Sequence, residues 1–376
     1  MKMKKNKIRV ISAVVSAIML ASSASVFAKF DAYNDSDGFT LGHYEVEVNQ
    51  EQRADTEKLY EQRPKNEKQF ENLSRGLVAV PGENGTLVSW RFLGTDSNSL
   101  TYNLYCSGEK LNDKPITTTN FFHTGASKNA EYTLKEVENG EETGVEYTTT
   151  AWDKNYIGFK VTEREGYNID DGAVADLDGD GEYEILLRRV PSMDVNTRTS
   201  YPVIEAYKTD GTHMWTIDIG PNEINEVDIN FLAYDMDGDG KAEVIMRSFE
   251  GTTDGKGNTT GDTNGDGITD YSKSESNLTI FKDRQYIVST PEFLSIYDGE
   301  TGEETDRTDL KPSKEPLSDW SYRYSDTGRL TKRASHYLFG LAYLDGVTPS
   351  VVMVRGAWDN VRAAAWHIED GKFKED

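Results

Sequence analysis

Cysteine is all but missing: Cys106 stands alone among 376 residues, which rules out an internal disulfide framework and any cysteine-built zinc site. Cations are outnumbered, with 41 Lys and Arg against 65 Asp and Glu and a formal charge of −24. A nucleic-acid binder needs the opposite balance to face phosphate, and an anionic bilayer surface would repel such a chain. The five histidines, His43, His123, His213, His336 and His367, are scattered without ligand-type spacing, and no nucleophile-elbow motif marks a serine hydrolase. Beyond the N-terminal segment, no apolar run reaches the roughly twenty residues of a membrane span. What is present is a chain 36% hydrophobic with 32 glycines, apolar enough to pack a core and rich in carboxylate oxygen. Where those carboxylates sit decides whether they repel, solubilise or ligate.

Residues 1–28 read as a secretory signal peptide. Lys2, Lys4, Lys5, Lys7 and Arg9 precede an apolar stretch from Val10 to Leu20, and Val26-Phe27-Ala28 offers small-residue cleavage. The expectation is a secreted, extracellular protein with no membrane contact after cleavage. Residues 29–73 are polar and aperiodic, an extended leader with one helix expected around Arg53 to Gln62.

From Gly76 the pattern turns to β. Leu77 to Val80, Thr86 to Trp90, Leu100 to Tyr105, Glu131 to Leu134 and Glu146 to Trp152 alternate or run apolar, separated by turn signals such as Pro81-Gly82-Glu83-Asn84-Gly85. Short strands at this spacing predict a small antiparallel, fibronectin-III-like β-sandwich over residues 74–160.

Residues 161–376 repeat themselves. Ala175-Asp176-Leu177-Asp178-Gly179-Asp180-Gly181 leads through Glu184 and an apolar strand to Arg188. Tyr234-Asp235-Met236-Asp237-Gly238-Asp239-Gly240 leads likewise through Glu243 to Arg247, and a worn copy, Tyr343-Leu344-Asp345-Gly346, leads to Arg355. An offset repeat, an aromatic followed by Asp-Gly, runs from Tyr207 to Gly211, Tyr297 to Gly299 and Trp366 to Gly371; each predicts a strand entering a tight hairpin. Repeats of roughly fifty residues, all strands and turns, predict a β-propeller with room here for about four blades. The expected fold class is therefore all-β, a small sandwich followed by a propeller portion of about four blades.

The pattern Asp-x-Asp-Gly-Asp-Gly-x-x-Glu carries the chemistry. Oxygens at positions 1, 3 and 5 converge when the loop curls, glycine at 6 permits the turn, and the acid at 9 closes the shell. One expected site is Asp176, Asp178, Asp180 and Glu184; a second is Asp235, Asp237, Asp239 and Glu243. A third is Asp262, Asn264, Asp266 and Asp270. All-oxygen donors select calcium over zinc or copper, so two to three Ca²⁺ ions are expected, pinning loops rather than catalysing. The bland reading is acidic turns that bind nothing. An EF-hand would need an acid at position 12, where Leu187, Met246 and Lys273 stand, and flanking helices where strands are predicted.

At these residues the chain resembles a known family. Leu73-Ser74-Arg75-Gly76-Leu77-Val78-Ala79-Val80 with Leu87-Val88-Ser89-Trp90-Arg91-Phe92-Leu93-Gly94-Thr95-Asp96, the two acidic repeats, Ala206 to Thr212, and Leu341 to Met353 resemble the bacterial rhamnogalacturonan lyases of polysaccharide lyase family 11. The resemblance runs from about residue 66 to the end. It implies a small sandwich, an eight-bladed propeller with several calcium ions, and extracellular cleavage of the pectin backbone rhamnogalacturonan I by β-elimination. Against that pattern this chain holds about four blades, so a C-terminally shortened member is expected, with the family's later basic residues having no counterpart and no catalytic base singled out. The family's Tyr-Thr-Ala-Asn-Asp reads Tyr167-Asn168-Ile169-Asp170-Asp171 here, and its sugar-binding acid is replaced by Val190.

Asp170, Arg188, Arg247 and Arg355 are the candidate substrate-binding residues. The arginines recur at the end of one strand per repeat, which fits either a structural role or a cleft that holds uronate carboxylates. Lys332 and Arg333 are expected on solvated surface. Trp320, Tyr322, Tyr324 and Trp358 are candidates for stacking on sugar rings. The competing function class is a non-catalytic carbohydrate-binding or integrin-like adhesion propeller.

Overall fold

Period-two alternation of apolar residues builds nearly everything that follows. The computed structural model describes residues 68–126, 129–192, 200–223, 229–282 and 284–376. The expected signal peptide, most of the leader and the helix around Arg53 to Gln62 lie outside the described residues.

The first module has seven strands: β1 (Val78–Gly82), β2 (Gly85–Ser89), β3 (Thr101–Cys106), β4 (Glu109–Lys110), β5 (Asn120–Thr124), β6 (Glu131–Glu138) and β7 (Glu141–Thr150). They form two antiparallel sheets, ordered β1-β2-β5 and β4-β3-β6-β7. In β6, Tyr132, Leu134 and Val137 point inward. Ala79 and Val88 from the first sheet meet Tyr102, Leu104, Tyr132 and Leu134 from the second in one core. Strands β4 and β5 escape the sequence reading; β4 is two exposed residues, and β5 alternates only between exposed and half-buried.

Three four-stranded antiparallel sheets follow. The first is β8 (Tyr167–Ala175), β9 (Glu184–Pro191), β10 (Val203–Tyr207) and β11 (His213–Asp218). The second is β12 (Phe231–Tyr234), β13 (Glu243–Phe249), β16 (Glu292–Tyr297) and β17 (Glu304–Asp309). The third is β18 (Tyr337–Ala342), β19 (Ser350–Arg355), β20 (Arg362–Glu369) and β21 (Lys372–Glu375). Each is a meander in chain order. The expectation of about four repeats gives way to three four-stranded sheets among the described residues, because residues 250–291 leave the second sheet between β13 and β16. That excursion carries the third acidic loop and the hairpin β14 (Leu278–Phe281) and β15 (Arg284–Ile287).

The two interleaved repeats are the two outer hairpins of each sheet. Acidic loops join the first and second strands, and the aromatic Asp-Gly turns join the third and fourth. The middle sheet shows how the sheets stack: Val244 and Met246 of β13 join a core with Leu186, Ile204 and Ile217 of the first sheet. Ile245, between them, points the other way and joins Tyr337, Val351, Met353 and Trp366 of the third.

One α-helix is present among the described residues, α1 (Thr327–Ser335), with Asp326 accepting from Arg329 N–H at 2.9 Å as its N-cap. It contains Lys332 and Arg333, which the sequence places on solvated surface. The helix packs on β14, where a side chain at Gly328 would meet Ile280 O at 2.3 Å. Arg333, expected in solvent, is buried and ion-paired with Asp359.

Candidate functional site

In each acidic segment the chain reverses within a few residues, and aspartate supports this by accepting from backbone N–H groups just ahead. Asp176 accepts from Gly179 and Gly181, both at 2.8 Å. Asp178 accepts from Asp180 at 3.4 Å, and Asp180 from Glu182 at 2.9 Å. Asp235, Asp237 and Asp239 repeat the scheme onto Gly238, Gly240, Asp239 and Lys241. Asp262, Asn264 and Asp266 repeat it again onto Gly265, Gly267, Asp266 and Ile268. Gly179 and Gly181, at φ 79° and 88°, take the left-handed conformation that other residues resist.

In the first two loops the following strand returns a carboxylate: Glu184 Oε2 accepts from Leu177 N–H, and Glu243 Oε2 from Met236 N–H, both at 2.8 Å. Carboxylate oxygens of Asp176, Asp178 and Glu184 lie within 4.8 Å of one another, as do those of Asp235, Asp237 and Asp239. Asp180 and Glu243 stand outside these two clusters. Calcium bonds of roughly 2.4 Å place ligand oxygens within about 5 Å of each other, so both clusters fit one hard cation each. Burial raises the carboxyls of Asp176, Glu184, Asp235 and Asp237, and neighbouring acids push the same way. Glu243 is pushed up to about 8 by burial and by Asp237, Asp235 and Asp239. A bound cation would reverse that repulsion. Lys208 Nζ also bonds Asp178.

The third loop differs. Asp270, expected to close it, accepts from Ser272 N–H at 3.1 Å and Oγ at 2.5 Å and pairs with Lys273 Nζ at 2.8 Å. It caps the short 3₁₀ turn Tyr271–Lys273. In the worn copy, Asp345 accepts from Val347 and Thr348 N–H and keeps the turn without the other carboxylates.

Residues 68–75, running from the end of the predicted leader (29–73) into the first module, cross the first two acidic loops and the worn copy. Ser74 N–H donates to Gly181 O at 2.9 Å, Gln69 Nε2 to Met236 O at 3.1 Å, and Gln69 N–H to Val347 O at 2.9 Å. Glu71, in the middle, is pushed up to about 7 by burial and by Asp235 and Asp176.

The three arginines are buried and engaged by protein groups. Arg188 bonds Asp170 and Ile229 O, so two of the expected substrate-binding residues touch each other. Arg247 pairs with Glu223 and, at 3.4 Å, with Glu292 Oε1. Arg355 pairs with Glu292 Oε2 at 2.6 Å. This supports their structural reading over a cleft role for Arg247 and Arg355. Lys314, unmarked in the sequence, joins them: burial pushes its ammonium down to about 8, and Nζ donates to Ile287 O at 2.6 Å. Glu223, Arg247, Glu292 and Lys314 border a cavity of about 20 Å³, room for about one water. Of the four aromatic candidates, Trp320 is fully buried, whereas Tyr322, Tyr324 and Trp358 are exposed. Trp358 is 74% exposed at φ 64°, a conformation costly for a bulky side chain.

With this geometry established, known proteins give the context. Residues 158–376 match the family described as rhamnogalacturonan lyase family 11, C-terminal domain, and residues 68–152 match the rhamnogalacturonan I lyases beta-sheet domain. The chain belongs to rhamnogalacturonan lyase family 11. Rhamnogalacturonan endolyase YesW of Bacillus subtilis (strain 168) is 36% identical over 323 residues, covering 82% of this chain and 49% of the relative. The exolyase YesX of the same organism is 36% identical over 325 residues, covering 82% and 50%. Among solved structures, YesX superposes with a TM-score of 0.70 at 35% identity, covering 82% of this chain and 51% of its own. The Bacillus licheniformis rhamnogalacturonan lyase PL11 superposes at 0.68 and 36% identity, covering 82% and 52%. The chain spans about half the length of the curated relatives it matches. Within this family-11 chain, two of the three loops expected to hold metal each bring three carboxylates together, and the third forms no such cluster among the described residues.

Proposed function

We propose that this chain is a secreted, calcium-binding protein that acts on the pectic polysaccharide rhamnogalacturonan I and cleaves its backbone by β-elimination. The observation that carries the reading is family-11 membership at 36% identity to an endolyase and an exolyase. In support of calcium, a cluster of three carboxylates recurs at the same hairpin of two successive sheets. In our reading the first module is fibronectin-III-like, its strand orders β1-β2-β5 and β4-β3-β6-β7 being those of a seven-stranded sandwich. The three later sheets are successive propeller blades, each packed on the next through alternating residues.

In such an elimination a base takes the C5 proton of galacturonate. Its electrons form the C4=C5 double bond, and the C4–O bond breaks with the proton passing to the departing oxygen. A cation beside the uronate carboxylate makes the C5 proton acidic. Bound to Asp176, Asp178, Glu184 and to Asp235, Asp237, Asp239, calcium would supply charge neutralisation that fastens the loops. This chain's own residues brace: strap residues Gln69 and Ser74 tie the loops together, and the exposed Asp170 faces solvent beside Arg188.

Incubation with rhamnogalacturonan I and calcium tests the reading. Ultraviolet absorbance from unsaturated uronide, with matching products by mass spectrometry, is the expected result. Retention on the polymer without new absorbance would overturn cleavage and leave a binding protein.

A further inference from the structure

Three exposed aromatic residues with no part in the sheet cores converge beside the third sheet. Trp358 lies in the turn between β19 and β20, and Tyr322 and Tyr324 precede α1. Arg333 of α1 links two of the rings, its guanidinium 4.9 Å from the Tyr324 centroid and 6.0 Å from that of Trp358. Arg323 reaches the third, donating from Nη2 to Tyr322 Oη at 2.8 Å. Both arginines meet on Asp359, Arg333 as a close pair and Arg323 with Nε 3.3 Å from Oδ1. Ser321 Oγ donates to the same carboxylate at 2.5 Å. His336 lies nearly parallel to the Trp358 ring, with centroids 6.3 Å apart.

A bulky residue at positive φ persists only where its surroundings over-determine it, and such residues gather at ligand contacts. Here three side chains grip the residue after Trp358 and turn the indole into water, where it adds nothing to the core. The turn leaves the end of β19 that carries Arg355, and Asp170 and Arg188 occupy the corresponding end of the first sheet, opposite its acidic loop.

We propose that Tyr322, Tyr324 and Trp358 form a carbohydrate-binding subsite for a uronate-bearing stretch of polysaccharide, with Asp359 as the positioning residue that fixes Trp358. The subsite rests on the reading that this chain acts on rhamnogalacturonan I, and deepens it. Flat aromatic faces stack on the apolar C–H face of a pyranose ring. Two guanidiniums on one carboxylate leave that group net positive within a chain of formal charge −24. The Arg323 side chain is 60% exposed, so its cation faces solvent and favours a sugar that carries a carboxylate.

Affinity electrophoresis of the full chain in rhamnogalacturonan I, with a neutral galactan in parallel, tests this. The wild type should be retarded by the acidic polymer more than by the galactan, and Arg323→Gln should lose that preference. Trp358→Asn should bind the acidic polymer roughly tenfold more weakly and melt no lower than wild type, because asparagine accepts positive φ. Asp359→Asn should weaken binding by a similar factor, and the double variant no further than either single one, as for two residues acting through one contact. Acrylamide quenching gives a second readout: Trp90, Trp215, Trp320 and Trp366 are buried, so bound polymer should slow quenching in the wild type and not in Trp358→Asn. Undiminished retardation of Trp358→Asn would overturn the subsite, and additive losses in the double variant would overturn the positioning role of Asp359. No retardation of the wild type by rhamnogalacturonan I would instead overturn the reading of the substrate. Circular dichroism checks that each variant is folded, and Trp358→Asn carries the test should Asp359→Asn unfold.

Discussion

Arg355 Nη2 donates to Glu292 Oε2 at 2.6 Å with both side chains out of water, and Arg247 approaches the other oxygen of the same carboxylate at 3.4 Å. One acid from β16 therefore holds arginines from the second strands of two successive sheets, with Lys314 close by. This shared anchor accounts for Arg247 and Arg355 among the recurring arginines, whereas Arg188 bonds Asp170 and Ile229 O.

Glu292→Gln should destabilise the fold by about 3–5 kcal/mol, because it leaves buried cations uncompensated. Urea unfolding of wild type and variant measures the difference. An effect below about 1 kcal/mol would show that the network contributes little.

The same pair sets a pH dependence. Burial acts to raise the Glu292 carboxyl, but Arg355, Lys314 and Arg247 outweigh it and hold the group below 4.5. A depressed folded value means that the stabilisation is present above about 4.5 and is lost as pH falls through the folded value. The gap in unfolding free energy between wild type and Glu292→Gln should be flat from neutral pH down to about 4.5 and narrow below it. A gap that widens on acidification would contradict the sign.

Tyr343 ties the 68–75 strap to the third sheet: its O–H donates to Gln69 O at 2.6 Å and lies 2.7 Å from Tyr234 Oη. Tyr343→Phe should cost about 1 kcal/mol and speed proteolysis near residue 70. Unchanged stability and cleavage would show that the strap is held elsewhere.

Trp358 is fixed by its surroundings. A side chain at Gly356 would meet Asn360 O at 2.2 Å, Asn360 Nδ2 donates to Asp319 O at 2.6 Å, and Arg333 pairs with Asp359. This presents an exposed indole with the Arg333 guanidinium 6.0 Å from its ring centroid, a flat face of the kind on which a sugar ring stacks. Trp358→Ala should weaken retention on rhamnogalacturonan I by roughly tenfold without shifting the melt. Equal retention by both proteins would remove Trp358 from substrate contact.

The legible parts of the molecule were those written locally. Period-two alternation located β1, β2, β3, β6 and β7 to within a few residues, and each Asp-Gly turn encodes its hairpin in five or six positions. The loops announced themselves because Asp176 and Asp235 bond to glycines only three and five residues ahead. What escaped is assembled from distant sequence. Glu292 meets Arg355 across sheets, Lys314 lies in a Pro-flanked stretch with no period, and Asp270 satisfies the spacing of a ligand while its side chain caps a turn. Helix α1 is one short amphipathic run whose Gly328 reads as a breaker until β14 is placed against it. The expected surplus repeat was an insertion, which length alone does not distinguish from a sheet.

The account depends on divalent cations drawing the acidic loops together, and thermal unfolding with calcium and with chelator tests it most directly. Calcium at about a hundred times its dissociation constant should raise the melting temperature by roughly 5 °C or more over the chelated protein, and adding calcium back should restore it. Identical melts with and without chelator would contradict the account.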